Sequence, residues 1–540
     1  MEARRITGRH LLLDGPGAAI DVPADDAARV AARSIDAARV LGWPTALTKH
    51  AHAAGVTLAL RAPIDVLYAA TAMLEWAVEQ SSIDGPEFAA VVAARDQEVI
   101  PRLRELVDRF GPSAAFVGED ELTLGLGKHG QTWPVTDLPD PATLVVPPRL
   151  PVAYLTGTNG KTTTTRILAR LVRSAGLTPG YSSSDAIVIG DEILESGDWT
   201  GPWAARRVLR DLRVDVALLE TARGGILRRG LVLDGADVAV VTNVTPDHFG
   251  EWGVDDLATM ARAKLVVGEA LRVGGTLVTH ARCAVLVDAV RALAAKRPDL
   301  VLTTFADEGD GPHDPGVTAW ADASTLHGPD GLLVPLADIP ATIHGTARHN
   351  VENALAASLA AWALGLGADA IARGLRAFRP SLQESRGRLN RYRLPSGAMV
   401  VLDFAHNPDG VTRVVDTVRA WPAIRRTVLV GQAGDRSDDD LRELALAVAP
   451  MGADRVVLKE LSHKLRGREL GEIPAILRRE LIAAGVPAAA ITEPTPDETS
   501  GVEASLDGLA DGDLALLLVH EALDDTLAVL AARGATALDG

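Results

Sequence analysis

Short apolar runs alternate with helical repeats through most of the chain, and the alternation becomes regular at residue 152. Val152 to Leu155 is an apolar run too short for a helix, and it predicts a buried strand. ILARLVRSAG follows at 167–176 with helical spacing. VDVALLE (214–220), DVAVVTNV (237–244) and GTLVTH (275–280) predict further buried strands, rich in Val and Ala. ARHNVENALAASLAAWALG (347–365) predicts a helix. A second alternating block starts near 396. There GAMVVLDFAHNP, TVLVGQAG, DRVVLKE and DLALLLV each lead into a helical segment. Two such blocks in succession predict an α/β protein with two doubly wound, mostly parallel sheets, whose ligands sit at the carboxyl ends of the strands. The first 146 residues differ. LALRAPIDVLYAATAMLEWAVEQ and FAAVVAARDQEVIPRLRELVDRF carry the spacing of amphipathic helices, and PDPATLVVPPRLP (139–151) reads as a proline-rich linker. The expected organisation is a smaller mixed N-terminal domain at 1–146, a central domain at 147–383 and a C-terminal domain at 384–540.

Composition narrows the class. The chain has 540 residues, 47% of them hydrophobic and 23% charged, as in a packed globular protein. A net charge of −17 argues against a general nucleic-acid binder, whose affinity rests on neutralising phosphates. The single cysteine, Cys283, excludes an intramolecular disulfide and a cysteine-based zinc site. The sequence MEARRITGRH lacks the apolar segment of a signal peptide, and no run of about 18 apolar residues suggests a membrane span. A cytoplasmic protein is expected.

The chemistry concentrates in VAYLTGTNGKTTTTR, residues 152–166. Strand, glycine-flanked turn, Lys-Thr and helix is the layout of a phosphate-binding loop. Gly157 and Gly160 let the backbone curl so that N–H groups point at phosphate oxygens, and the helix N-terminus adds partial positive charge. Lys161 can reach the terminal phosphates, and the Thr162 hydroxyl can ligate Mg²⁺. Gly157, Thr158, Asn159, Gly160, Lys161, Thr162 and Thr163 are therefore the candidate nucleotide-binding residues, for a nucleoside triphosphate with Mg²⁺. The glycine spacing is shorter than in the usual pattern, and a glycine turn capping an ordinary αβ unit is the alternative. Glu220 ends the strand VDVALLE, where a carboxylate can hold a metal or simply face water. His248, beside Asp247, follows the next strand and is either a site residue or a loop residue with a local hydrogen bond. Periodicity alone makes Lys264, in MARAKLVVGEA, an exposed helix lysine.

TGTNGKTTT, Glu220 after a strand, NVTPDH, Lys264, HNVENALAA, Arg388 in RGRLN, and DFAHNPDG run in the order found in the Mur ligase superfamily, which the chain resembles. ETARGGILRRGL, GTARHNVENALAA, GQAGDRSDDD and LRGRELGEIPAILR resemble in particular the C-terminal ligase module of cyanophycin synthetase. No ATP-grasp signature is found, and Phe404 stands where the family motif often has tyrosine. The resemblance implies an ATP-dependent carboxylate–amine ligase that works through an acyl phosphate. It implies that Lys161 and the loop amides hold the β- and γ-phosphates. Thr162 and Glu220 would hold one Mg²⁺ and His248 a second metal. Lys264 would be carbamylated, turning a cation into a metal-directed anion, so it counts among the metal residues. Asn350 and Asn353 would read adenine, with polar caps of an Ala-rich helix as the alternative. Arg388 would meet the nucleotide, and Asp403 and His406 would face ribose and base, unless they form an ordinary strand-to-helix turn. Small-molecule or peptide substrates follow, arginine and aspartyl chains among them, with no nucleic acid and no membrane. A folylpolyglutamate-type ligase and a catalytically inactive nucleotide-binding subunit are the competing readings. Residues 1–146 are open to roles in specificity, docking or homo-oligomerisation.

Overall fold

The computed structural model describes residues 5–9, 16–40, 47–52, 55–61, 77, 115–117, 121–134, 149–247, 249, 254–309, 311 and 313–538. Contacts divide the chain into two compact units. One gathers Met1–Ala321, His327–Leu333 and Asn353–Gly374; the other gathers Asp322–Leu326, Val334–Glu352 and Leu375–Gly540.

In the first unit, the strands Arg5–Arg9, Pro16–Val22, Gly55–Arg61 and Leu47–His52 form an antiparallel sheet in that order. Leu58 to Arg61, expected to open a helix, lies in this sheet instead. Alternating side chains in GVTLALR match the two-residue period of a half-buried strand, and Leu58 is fully buried. Of the rest of that expected helix only Ala77, helical and buried, is described; all of the second one and most of the linker lie outside the described residues.

The main sheet of this unit runs Glu192–Ser196, Ala186–Ile189, Pro179–Ser182, Val216–Glu220, Val152–Thr156, Ala236–Val241, Leu271–His280 and Val301–Gly309, continuing to eleven strands. From Pro179–Ser182 onward through Val301–Gly309 the pairings are parallel. Val152–Thr156 is central and buried at every position, which its unbroken apolar run demands. Its register sets Leu155 beside Glu220 and Thr156 beside Val241, so three strands end level.

The second unit has a six-stranded sheet in the order Arg455–Leu458, Arg426–Val430, Leu514–Leu518, Met399–Asp403, Asn390–Arg393 and Thr536–Ala537. The first four are parallel and the last two antiparallel. Two of the parallel strands lead to helices with a side-chain cap at the start. Asn407 caps Pro408–Arg419 by accepting from the Gly410 N–H at 2.8 Å, with proline in the first turn. Ser437 and Asp440 form a capping box at Asp438–Val448. Among the described residues, no helix is long and apolar enough to cross a membrane.

Candidate nucleotide site

Backbone curvature after Val152–Thr156 is fixed by two glycines. Gly157 has φ +151, and a Cβ there would stand 1.8 Å from Thr242 Oγ1. Gly160, at φ 83, is the residue before helix Lys161–Ser174, and a Cβ would stand 2.2 Å from Asn353 Oδ1. Neither position admits a side chain.

Loop and neighbouring strand end are joined by a short ladder. The Thr158 N–H donates to Asn243 O at 3.0 Å, and the Asn159 N–H donates to Asn243 Oδ1 at 2.9 Å. Asn243 Nδ2 donates back to Asn159 O at 3.2 Å, and Thr242 Oγ1 donates to the same oxygen at 2.6 Å. Asn243 lies in the NVTPDH segment but was not among the expected site residues. Its amide, with both a donor and an acceptor, suits it to gripping a backbone turn. Lys161 Nζ folds across the loop to Thr158 O at 2.8 Å.

Thr162 and Glu220 come together as expected. Thr162 Oγ1 donates to Glu220 Oε1 at 3.0 Å, and it stands 2.9 Å from Ser184 Oγ. Both Thr162 and Glu220 are buried. Octahedral Mg²⁺ holds oxygen ligands at ~2.0–2.1 Å, so neighbouring ligands stand about 3 Å apart. The two oxygens therefore already have the separation of adjacent Mg²⁺ ligands, and the donor set fits the ion. Ser184 is a further polar neighbour that the motif reading missed. Its signal was the YSSSD run at the end of a strand that pairs with Val216–Glu220.

Lys264 corrects the periodicity reading. It sits on helix Leu257–Glu269, whose N-cap Asp256 accepts from Thr259 N–H at 2.7 Å. It is only 4% exposed, and its Nζ donates to Gly157 O at 2.8 Å. The helix has buried residues on most of its faces, so no polar stripe was there to place the lysine in solvent. Burial holds the Lys264 amine well below the ordinary lysine range, and the charges of Lys161 and Arg223 push it the same way, against Asp247. His248 lies outside the described residues.

The other expected residues take specific places. Asn353 Oδ1 accepts from Thr164 Oγ1 at 3.3 Å and lies over Gly160, beside the phosphate loop. Asn350, on the same helix Arg348–Ala363, donates from Nδ2 to Ala341 O at 2.9 Å. In the second unit, Asp403 is buried and its carboxylate accepts from Ala405 N–H at 2.7 Å and Leu389 N–H at 2.8 Å. It thereby holds Leu389 in a left-handed conformation, φ 52. Its burial pushes the acid's pKa up, against those two donors. The Arg388 guanidinium lies 5.7 Å from the Phe404 ring centroid, and His406 is half-buried beside that ring at 5.3 Å.

Comparisons with known proteins bear on the family and the fold. The Mur ligase middle domain matches residues 155–361, and the Mur ligase glutamate ligase domain matches 387–518. The chain is 39% identical over 410 residues to a cyanophycin synthetase of Synechocystis sp., covering 74% of this chain and 45% of that protein. It thus spans less than half the length of the cyanophycin synthetases it matches. It is 30% identical to UDP-N-acetylmuramate–L-alanine ligase of Xanthomonas campestris pv. campestris, covering 67% of this chain and 70% of that one. In fold it is similar to Mycobacterium tuberculosis folylpolyglutamate synthase complexed with ADP, with a TM-score of 0.52 at 17% identity, covering 71% and 90% of the two chains. The bifunctional folylpolyglutamate synthase/dihydrofolate synthase of Yersinia pestis gives the same TM-score at 21% identity, covering 71% and 88%. With both domain models matched in order and more than two thirds of a muramate ligase covered, the chain belongs to the Mur ligase family.

Proposed function

We propose that this chain transfers the γ-phosphoryl group of ATP to a substrate carboxylate and joins the resulting acyl phosphate to an amine. A carboxylate oxygen forms the new P–O bond as ADP leaves. The amine nitrogen then attacks the acyl carbon and phosphate departs, leaving an amide. The observation that supports this most is the Thr162–Glu220 oxygen pair, spaced like Mg²⁺ ligands at the mouth of a phosphate loop. When bound, the ion supplies charge neutralisation on the phosphates. Lys161 and the N–H groups of the loop would hold β- and γ-phosphate oxygens, and positioning and charge stabilisation carry the catalysis. In this reading Asn350, Asn353, Arg388 and His406 face the nucleoside, and Asp403 orders the loop that carries His406. His248 would hold a second metal.

Lys264 enters as a carbamate. Its nitrogen attacks CO₂, an N–C bond forms, and a proton passes to solvent. Only the neutral amine can do this, and burial of Lys264 favours that form. Substrates are an amino acid or short peptide pair, with arginine and aspartyl peptides the first to try. The three expected segments, 1–146, 147–383 and 384–540, and a cytoplasmic location complete the proposal.

The test is phosphate release from ATP with amino acids paired with short peptides, products read by mass spectrometry and folate with glutamate as a separate arm. Release should need both acid and amine. Lys161→Ala should lower turnover by ~10²–10³-fold or more while staying folded. Near-normal turnover in folded Lys161→Ala, or release indifferent to the amine, overturns the reading.

A further inference from the structure

The second unit contains a buried ion pair that the proposed reaction does not use. Lys459 follows strand Arg455–Leu458, and Glu498 opens helix Glu498–Leu506. Both are essentially without solvent exposure, and Lys459 Nζ bonds Glu498 Oε1 and Leu518 O. The room for this lysine is built in. A Cβ on Gly431 would stand 2.4 Å from Lys459 O and 2.5 Å from its Cγ, and a Cβ on Gly501 would stand 3.3 Å from the Lys459 Cβ.

Glu498 does more than balance charge. Oε1 accepts from the His520 N–H at 2.8 Å, and Oε2 accepts from the N–H groups of Glu521 at 2.8 Å and Ala522 at 2.6 Å. Charge-assisted bonds of this kind are the strong ones. They fix the turn after strand Leu514–Leu518 and with it the His520 side chain. Lys459 and these donors hold the Glu498 acid down at about 2, against its burial.

The His520 ring then reaches the neighbouring strand end. Its Nε2 stands 2.9 Å from Ala405 O. A carbonyl oxygen only accepts, so Nε2 carries the proton and Nδ1 is the bare nitrogen. Nδ1 is buried and meets no hydrogen-bond partner among the described residues. A second ring proton would be buried there without an acceptor, within reach of the Lys459 charge. Burial and Lys459 accordingly keep the ring neutral, well below the ordinary histidine range, with Glu498 opposing. Ala405 lies between Asp403 and His406. The same loop is tied by the Val519 N–H to Asp403 O at 2.8 Å and by Gln432 Nε2 to His406 O at 2.5 Å.

We propose that His520, aimed by the buried Lys459–Glu498 pair, is a positioning residue that holds loop 403–407 in its nucleotide-binding shape. His520 touches no nucleotide in this account. It acts through the Ala405 carbonyl, and it rests on the reading of the loop as part of an ATP site.

The probe is Mg–ADP binding by calorimetry to the full chain, with thermal melting alongside. His520→Phe keeps the ring's bulk and removes the donor, and it should weaken Mg–ADP at least tenfold. His520→Gln returns an N–H donor, and it should bind within about threefold of wild type. A purely structural role moves melting and leaves affinity alone in both variants. Unchanged affinity in His520→Phe overturns the proposal, as does a glutamine variant as weak as phenylalanine. Should His520→Phe fail to fold, histidine-selective ¹⁵N NMR of the wild type decides. One imidazole, assigned by its loss in His520→Gln, should be a neutral Nε2–H tautomer that shifts on adding Mg–ADP. A charged ring, or a neutral one indifferent to ADP, overturns it. Lys161→Ala is run in parallel. If it weakens Mg–ADP and His520→Phe does not, only the positioning role falls. If neither does, the ATP-site reading falls as well.

Discussion

Among the described residues two lysines are buried, one in each unit: Lys264 within helix Leu257–Glu269 and Lys459 just after strand Arg455–Leu458, and their partners differ. Lys459 meets the carboxylate of Glu498. Lys264 meets a peptide carbonyl, Gly157 O, and among the described residues no carboxylate lies within ion-pair distance of its Nζ. Both have lost their water. Burial lowers the Lys459 pKa too, but there the Glu498 carboxylate opposes it through both charge and hydrogen bond, and the pair acts as scaffold. Lys264 hydrogen-bonds only a carbonyl dipole, and burial with the charges of Lys161 and Arg223 outweighs Asp247, so its charged form is strongly disfavoured. What a buried lysine can do is thus decided by its acceptor.

The sharpest break of this contrast is Lys264→Met. Activity should fall by at least ~10²–10³-fold if the carbamate places an anion at the metal cluster. Added bicarbonate should not restore it, since no amine remains. Lys264→Arg should fail too, because guanidinium stays protonated. A fully active arginine variant removes the carbamate and leaves the phosphate loop standing. The fold should respond in the opposite sense. The unfolded lysine binds more protons than the native one, so wild-type stability should rise with pH. The window runs from the depressed native pKa up to the unfolded value near ~10.4. Lys264→Met should lose that slope, which melting curves across neutral to alkaline pH will show. Parallel slopes in the two proteins refute the depressed amine.

Gly157→Ala comes next. Its Cβ would collide with Thr242 Oγ1, and the backbone conformation disfavours any side chain. The strain is about 1–3 kcal/mol, and relief can come only by opening the loop, so Mg–ADP affinity should drop at least tenfold. Wild-type affinity in Gly157→Ala is incompatible with the described turn.

Lys459→Met should do what Lys264→Met does not. It leaves Glu498 buried without its cation, at a cost of about 3–5 kcal/mol and a melting loss of roughly 6–20 °C. Equal melting shifts in the two methionine variants erase the distinction between scaffold and reagent. The smallest expected effect belongs to Ser184→Ala. Ser184 supports the Thr162 hydroxyl from the side, so the Mg²⁺ concentration for half-maximal phosphate release should rise about two- to fivefold, a loss near one hydrogen bond. No change in the Mg²⁺ titration removes Ser184 from the site.

The sequence made the parallel framework legible because Val152–Leu155, VDVALLE and DVAVVTNV are buried on both faces, and unbroken apolar runs announce that. It also made Lys161, Thr162 and Glu220 legible, since register carries strand ends to one level and the motif marks those ends. The burial of Lys264 was hidden. Helix Leu257–Glu269 is enclosed by the fold, and periodicity reports exposure only for a helix with one wet side. Ser184, Asn243 and the Lys459–Glu498–His520 cluster were hidden for another reason. Each depends on side chains far apart in sequence, and no local spacing records such meetings. Asp403 stood in a recognised motif, yet its carboxylate is occupied by the Ala405 and Leu389 N–H groups, which a motif alone does not reveal.

The central place of Val152–Thr156 has a consequence for how the protein is made. Both strands that flank it are encoded later, and its last backbone partner, Thr242, comes 86 residues after Thr156. At ~5–20 residues per second on the ribosome, those residues take about 4–17 s to be synthesised. For that interval this buried central strand of the first unit has emerged, or is emerging, with neither neighbour available. Nascent chains stalled short of residue 242 should therefore be the ones that trigger factors and other holding chaperones retain.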